Sequence, residues 1–320
     1  MKTSSLEPSP SPIIGHVPKL NGSPAPALST SGAVPLTPAS SCNTAFGCPR
    51  DFLDNRFVYT VISPRARGLS VGINMNPDRH CNFDCIYCEV DRSQSAREAA
   101  LDVPVMIAEL SRTLELVESG RLGALERYRT TPPDLLQLRH IALSGDGEPT
   151  LCPNFVDAVE GLAHFRASGH RPFLKMVLIT NGSFLDRLEV VEGLRLFTVR
   201  DEIWAKLDVG TQEAMNRLNR SDCPIEKVLA NILMVGRERP IVIQSLFPSL
   251  RGQPPASGEI DDYVRRLRDL KDAGAQISLV QIYSATRPTP NSGCGHLPLR
   301  TLSDIAQRVR ETCGLKAEVF

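Results

Sequence analysis

Residues 69–88, LSVGINMNPDRHCNFDCIYC, set a short β-rich apolar run at 69–75 directly ahead of three cysteines within eight residues. The same rhythm, a short β-rich run followed by a longer helical pattern, continues down the chain. Strand candidates occupy 69–75, 139–144, 175–180, 202–207, 241–246 and 277–283. Most are near-continuous apolar runs, as strands covered on both faces require. Strands that alternate with helices in this way are the mark of parallel βα units.

The helical patterns carry the expected period. Val103, Ile107, Leu110, Leu114 and Val117 share one face behind an Asp102 cap and Pro104, and Gly120 ends the run. Phe155, Val156, Val159 and Leu162 form a second stripe, and Tyr263, Val264, Leu267 and Leu270 a third that stops at Gly274. The last stripe, Leu302, Ile305, Ala306, Val309 and Cys313, ends at Gly314, which makes Cys313 a core residue. Six right-handed βα units curl into a partial (β/α)6 barrel or lie as an open doubly wound sheet. Either arrangement collects function at the carboxyl ends of the strands.

Composition narrows the class. The chain has 320 residues, enough for one large α/β domain, and its 36 Lys and Arg balance 36 Asp and Glu. A net charge of zero gives no global basic field for nucleic acid, although a local patch stays open. Nine cysteines without a secretory signal sequence point to reduced thiols and a cytoplasmic protein. No apolar run approaches the roughly 20 residues that a membrane crossing needs. Residues 1–40 hold eight prolines and eight serines, so 1–45 is expected to be a disordered arm and 46–320 the core domain.

Cys81, Cys85 and Cys88 follow the first strand, and a tight loop of thiols suits zinc or iron-sulfur. A structural zinc site wants four ligands, yet His80 is sequence-adjacent to Cys81 and no second CxxC exists. Three cysteines on a [4Fe-4S] cluster leave one iron open to substrate or cofactor. At the later strand ends stand SGDGEPT (144–150), TNGS (180–183) and WAKLD (204–208). The glycines of the first allow close backbone approach to a ligand, and Lys206 and Asp208 are polar at the end of an apolar strand. Taken singly, these are also readable as ordinary turns and a salt-bridged strand end.

CxxxCxxC with Tyr87 before the last cysteine resembles the signature of the radical SAM superfamily. The resemblance implies a partial (β/α)6 barrel and a [4Fe-4S] cluster on Cys81, Cys85 and Cys88. It further implies S-adenosylmethionine on the open iron and reduction by an external donor such as a flavodoxin or ferredoxin. Reductive cleavage would then yield a 5′-deoxyadenosyl radical that takes hydrogen from substrate. Gly145, Asp146, Gly147 and Glu148 match the family's glycine-rich GGE-type motif, with Asp146 in place of a plain second glycine. Asn181 matches the TNG step, and Lys206 lies where the family often contacts cofactor.

Within the superfamily, NPDRHCNFDCIYCEVDR, SGDGEPTL and VQIYSATRPTP are similar to the wyosine-type tRNA-modifying enzymes. Those relatives bind a second cluster through three upstream cysteines, whereas only Cys42 and Cys48 precede the signature here. A third ligand would have to come from Cys152 or Cys294, and Cys152 also reads as a small buried hydrophobe. The substrate is therefore left open among small molecule, nucleoside and peptide. Arg287, after the sixth strand, reads either as a clamp for a carboxylate or phosphate or as a surface arginine. Two other classes stay in view: a radical activase of a protein partner, and a non-catalytic iron-sulfur or zinc module.

Overall fold

Parallel strands need a covered face on each side, and the chain supplies it by returning a helix to the same side of the sheet after each of the first parallel strands. A computed structural model describes residues 52–96, 98–168, 174–287, 289, 291 and 293–320. The expected arm at 1–45, with Cys42 and Cys48, lies outside the described residues. In chain order the elements are β1 Val58–Ser63, β2 Gly68–Asn74, α1 Val103–Glu118, β3 Leu138–Ser144, α2 Phe155–Ala167, β4 Met176–Thr180, α3 Leu188–Leu194 and β5 Glu202–Lys206. There follow α4 Gln212–Leu218, α5 Ile225–Glu238, β6 Ile241–Leu246, β7 Ser249–Leu250, α6 Ser257–Asp272, β8 Ile277–Tyr283, β9 Cys294–Gly295, α7 Leu299–Cys313 and β10 Ala317–Val319.

Eight strands form one sheet in the order β1-β2-β3-β4-β5-β6-β8-β10. From β2 to β10 every neighbouring pair is parallel. A doubly wound sheet reverses its strand order at a switch point, but this order never reverses. Helices that always return on one side make the sheet curl, and the result is the half-barrel reading of the sequence. The six strand candidates are β2 to β6 and β8. The structure adds β1, antiparallel to β2, and β10, parallel to β8. Neither is a βα unit: β1 turns back on β2 through a short hairpin, and β10 spans three residues.

Alternation separates the two faces. Ile141, Leu178, Ile203, Ile243 and Val280 point outward into one core with the helices. Val177, Trp204 and Val242 point inward and pack together in the lumen of the half-barrel. The floor of that lumen includes His140, whose ring bonds Ser70 Oγ at 3.0 Å and meets Trp204 edge-on at 5.3 Å. Burial pushes the His140 ring down to about 3, with Lys175 and Arg65 adding to the effect. Below pH 6.5 the unfolded chain therefore takes up a proton that the folded chain refuses until about pH 3. Stability is expected to fall by about 3 kcal/mol between pH 6.5 and 4 from this residue. Urea melts across that range should be flatter for His140→Gln than for the native chain.

The hydrogen bond at the Asp102 cap is present: Val105 N donates to Asp102 Oδ1 at 3.1 Å. One turn on, Glu109 is buried at 2% exposure. Its carboxylate accepts from Arg56 N (2.7 Å), Phe57 N (2.9 Å) and Val58 N (3.1 Å), which ties the start of β1 to α1. Glu109→Leu strands three donors, and chemical denaturation should report a loss of about 3 kcal/mol or more. Among the described residues no helix is long and apolar enough to cross a membrane.

Candidate functional site

The cysteine loop leaves the carboxyl end of β2 and is anchored by side chains that its own sequence supplies. Phe83 enters the outer core, while Ile86 and Tyr87 pack with Leu218, Leu246 and Tyr283 at the top of the lumen. Backbone bonds hold the same stretch to the end of α4: Asp84 N to Asn219 O at 3.1 Å and Ile86 N to Leu218 O at 3.0 Å. Cys88 N donates to Cys85 O at 2.9 Å, closing the turn between the last two thiols. Cys81, Cys85 and Cys88 are left half-buried.

Burial favours the neutral thiol at Cys81 and Cys85. Burial pushes Cys81 up to about 11, with the nearby Glu148 adding to the shift. Burial also pushes Cys85 up, and Lys206 and Asn219, whose Nδ2 lies 3.4 Å from Cys85 Sγ, oppose it only in part. Among the described residues no three His, Cys, Asp or Glu side chains gather as a site for one metal ion. Zinc at 2.3 Å from each sulfur would draw tetrahedral ligands to about 3.8 Å of one another. The donor set, three thiols on one ordered loop, fits an iron-sulfur group in its chemistry.

The GDGE turn lies directly beneath this loop. Gly145 has φ +136, and a Cβ there would lie 2.2 Å from Asn74 Oδ1. A Cβ on Gly147 would lie 2.0 Å from His80 O. The close approach that the glycines permit is thus to the cysteine loop and its stem. Asp146 and Asn74 bond reciprocally, Nδ2 to Oδ2 at 2.8 Å and N to Oδ1 at 2.9 Å. Glu148 N donates to His80 O at 3.0 Å.

Glu148 is buried at 3% exposure and satisfied within the protein. It accepts from Thr150 N (3.1 Å), Thr150 Oγ1 (2.6 Å), Thr180 Oγ1 (2.5 Å) and Asn181 N (2.7 Å). One carboxylate thereby joins the ends of β3 and β4. Asn181 Nδ2 continues the chain by donating to Asn82 Oδ1 at 2.9 Å, and Asn82 Nδ2 donates to Ser183 Oγ at 3.0 Å. Every one of these expected cofactor contacts ends on the cysteine loop or on a neighbouring strand end.

Lys206 differs. Its ammonium sits 5.5 Å from the Tyr87 ring centre at the inner end of β5. Burial opposes the charge, but Tyr283, Cys85, Asp208 and Cys88 together outweigh it and hold the amine above its ordinary range. Asp208 accepts from the Tyr87 hydroxyl, from Asn219 Nδ2 at 2.9 Å and from Leu246 N at 2.8 Å. Asn74, Asn82 and Asn219 were not foreseen. Asn82 lies inside the motif itself, where its position could have flagged it; Asn219 ends a helix far along the chain and carries no such signal.

Cys152 and Cys313 are buried, as read from the sequence. Cys294, on β9, is half-buried against the cluster of Ile86, Tyr87, Leu218, Leu246 and Tyr283, whereas His296 is exposed. Arg287 pairs with Glu89 at 2.7 Å and so fastens its loop to the cysteine loop.

No protein-family model matches the chain. A UPF0026 protein of Helicobacter pylori is 26% identical over 182 residues, 55% of this chain and 50% of that protein. A UPF0026 protein of Methanocaldococcus jannaschii is 26% identical over 176 residues, 54% and 47% of the two chains. The chain spans about half the length of these curated relatives. Among solved structures, Streptococcus suis SuiB bound to S-adenosylmethionine superposes with a TM-score of 0.53 at 13% identity, over 76% of this chain and 49% of that one. TYW1 with a lysine-pyruvate adduct bound gives 0.51 at 17% identity, over 78% and 75%. At these identities the likeness is one of fold.

Proposed function

We propose that this chain is a radical SAM enzyme. Cys81, Cys85 and Cys88 would hold a [4Fe-4S] cluster that, with S-adenosylmethionine on its open iron and one electron from a flavodoxin- or ferredoxin-type donor, supplies a 5′-deoxyadenosyl radical to abstract hydrogen from substrate. The observation that carries this reading is the anchored loop: three half-buried thiols stand at the carboxyl rim of a half-barrel, fixed by bonds from three other strand ends. The structural likeness to S-adenosylmethionine-bound SuiB supports it on the level of fold.

The chain's own residues then divide the work. Asp146 and Glu148 brace the stem of the loop, Asn181 and Ser183 hold Asn82, and Asp208 with Asn219 orients Tyr87 and Cys85. Gly145 and Gly147 let the turn lie close beneath the loop. Lys206, cationic beside Cys85, would meet the carboxylate of the cofactor. The raised thiols imply that loading the site releases protons, so cluster uptake should be faster toward alkaline pH. Anaerobic reconstitution with iron and sulfide followed by metal analysis tests the assignment. Iron and sulfide near four each per chain support it; one zinc per chain, without visible charge-transfer absorbance, would favour a binding module instead.

A further inference from the structure

The hairpin between β1 and β2 places a second cation in the lumen. Arg67 Nη2 meets Glu318 of β10 at 2.7 Å, which carries the hairpin across the open side of the half-barrel. Arg65, two residues earlier, turns inward: its guanidinium lies 4.2 Å from the centre of the Tyr283 ring. Tyr283 is an inward-facing residue of β8, on the same face as Leu279 and Gln281. Arg65 also acts electrostatically on His140, across the lumen on β3.

Among the described residues Arg65 has no hydrogen bond and no ion pair, and its Nε is buried without a partner. A polar pair on the inner face, Gln244 Nε2 donating to Gln281 Oε1 at 3.0 Å, is bonded within itself. Asp208, the acid at the inner end of β5, already accepts from Tyr87, Asn219 and Leu246. A guanidinium held against an aromatic face, with its fork free, is a receptor for a planar or tetrahedral oxyanion.

We propose that Arg65 binds an acidic group of the substrate, a carboxylate or a phosphate, in the lumen of the half-barrel. The proposal rests on the radical SAM reading only for the word substrate; the anion site itself stands on the geometry. Arg287, readable from sequence as a clamp or as a surface arginine, is engaged with Glu89, and Arg65 takes the clamp role. Contact with the Tyr283 ring holds the guanidinium at one place in the lumen, so less freedom is lost when the acidic group binds.

The test is calorimetric titration of the full-length, cluster-reconstituted chain with inorganic phosphate and, separately, with malonate. One of the two should bind in the millimolar range, and which one does so distinguishes phosphate from carboxylate. Arg65→Met should weaken that binding roughly tenfold or more, and Arg65→Lys by less. Should Arg65→Met fail to fold, phenylglyoxal labelling of the native chain replaces it, and the bound probe should protect Arg65. Unchanged affinity in Arg65→Met, no protection, or no heat with either probe up to roughly 20 mM would overturn the proposal. None of these readouts requires cofactor cleavage, so a failure here is separable from a failure of the radical SAM reading.

Discussion

Cys85→Ala is expected to abolish 5′-deoxyadenosine release, a drop of at least about a thousandfold, together with loss of the cluster's visible absorbance. Cys85 Sγ lies at the crossing of two groups that hold the loop: Asn219 Nδ2 at 3.4 Å and the Tyr87–Asp208 pair. Alanine keeps the fold of the turn, because Cys88 N donates to the backbone oxygen of residue 85 and not to its sulfur. The loss is therefore chemical, and far-ultraviolet circular dichroism should be unchanged. Cys313→Ala is the control. Its thiol lies in the outer core, 3.3 Å from Val264 O, so the substitution should cost about 1 to 2 kcal/mol of stability and leave cofactor cleavage intact.

The second large effect is structural. Glu148→Ala removes the acceptor of four hydrogen bonds at a site with 3% exposure, leaving Thr150, Thr180 and Asn181 donors facing a cavity. The expected cost is about 3 to 5 kcal/mol, read as a fall in melting temperature of roughly 10 °C. Burial raises the Glu148 carboxyl above its ordinary range, against the pull of Thr150, Thr180 and Asn181, so ionising it opposes folding. For this residue stability is fullest at low pH and declines as pH rises through the raised value. Glu148→Gln, which keeps the shape and two acceptor lone pairs, should recover much of the loss and remove that pH dependence. A site whose glutamate merely touched a cofactor would show little change in melting.

The parallel half-barrel was legible because buried parallel strands write themselves as apolar runs, and helices as 3.6-residue stripes. β2, β3, β4, β5, β6 and β8 each lie within one residue of the expected bounds at either end. β1 lies outside the βα rhythm, because it turns back on β2 in an antiparallel hairpin and no helix follows it. β10 spans three residues, too few to carry a period.

The rim was legible in kind more than in role. Asp146, Glu148 and Asn181 lie on the same rim of the sheet as the cysteine loop, but the bonds that tie them to one another and to that loop are tertiary and no spacing reports them. Gly147 illustrates the gap. Its lack of a side chain was read as room for a ligand, and the structure fills that room with His80 O. The two arginines divide similarly, since which of Arg65 and Arg287 finds an acid depends on a fold that brings Glu89 beside one and Tyr283 beside the other.

The central claim is that the three-thiol loop serves cofactor chemistry. Its most direct test is to reconstitute the chain anaerobically with iron and sulfide, reduce it with dithionite and add S-adenosylmethionine. Release of 5′-deoxyadenosine and methionine, absent from Cys81→Ala, Cys85→Ala and Cys88→Ala, is the predicted result. A chain that carries its iron and sulfide yet leaves the cofactor uncleaved would contradict it.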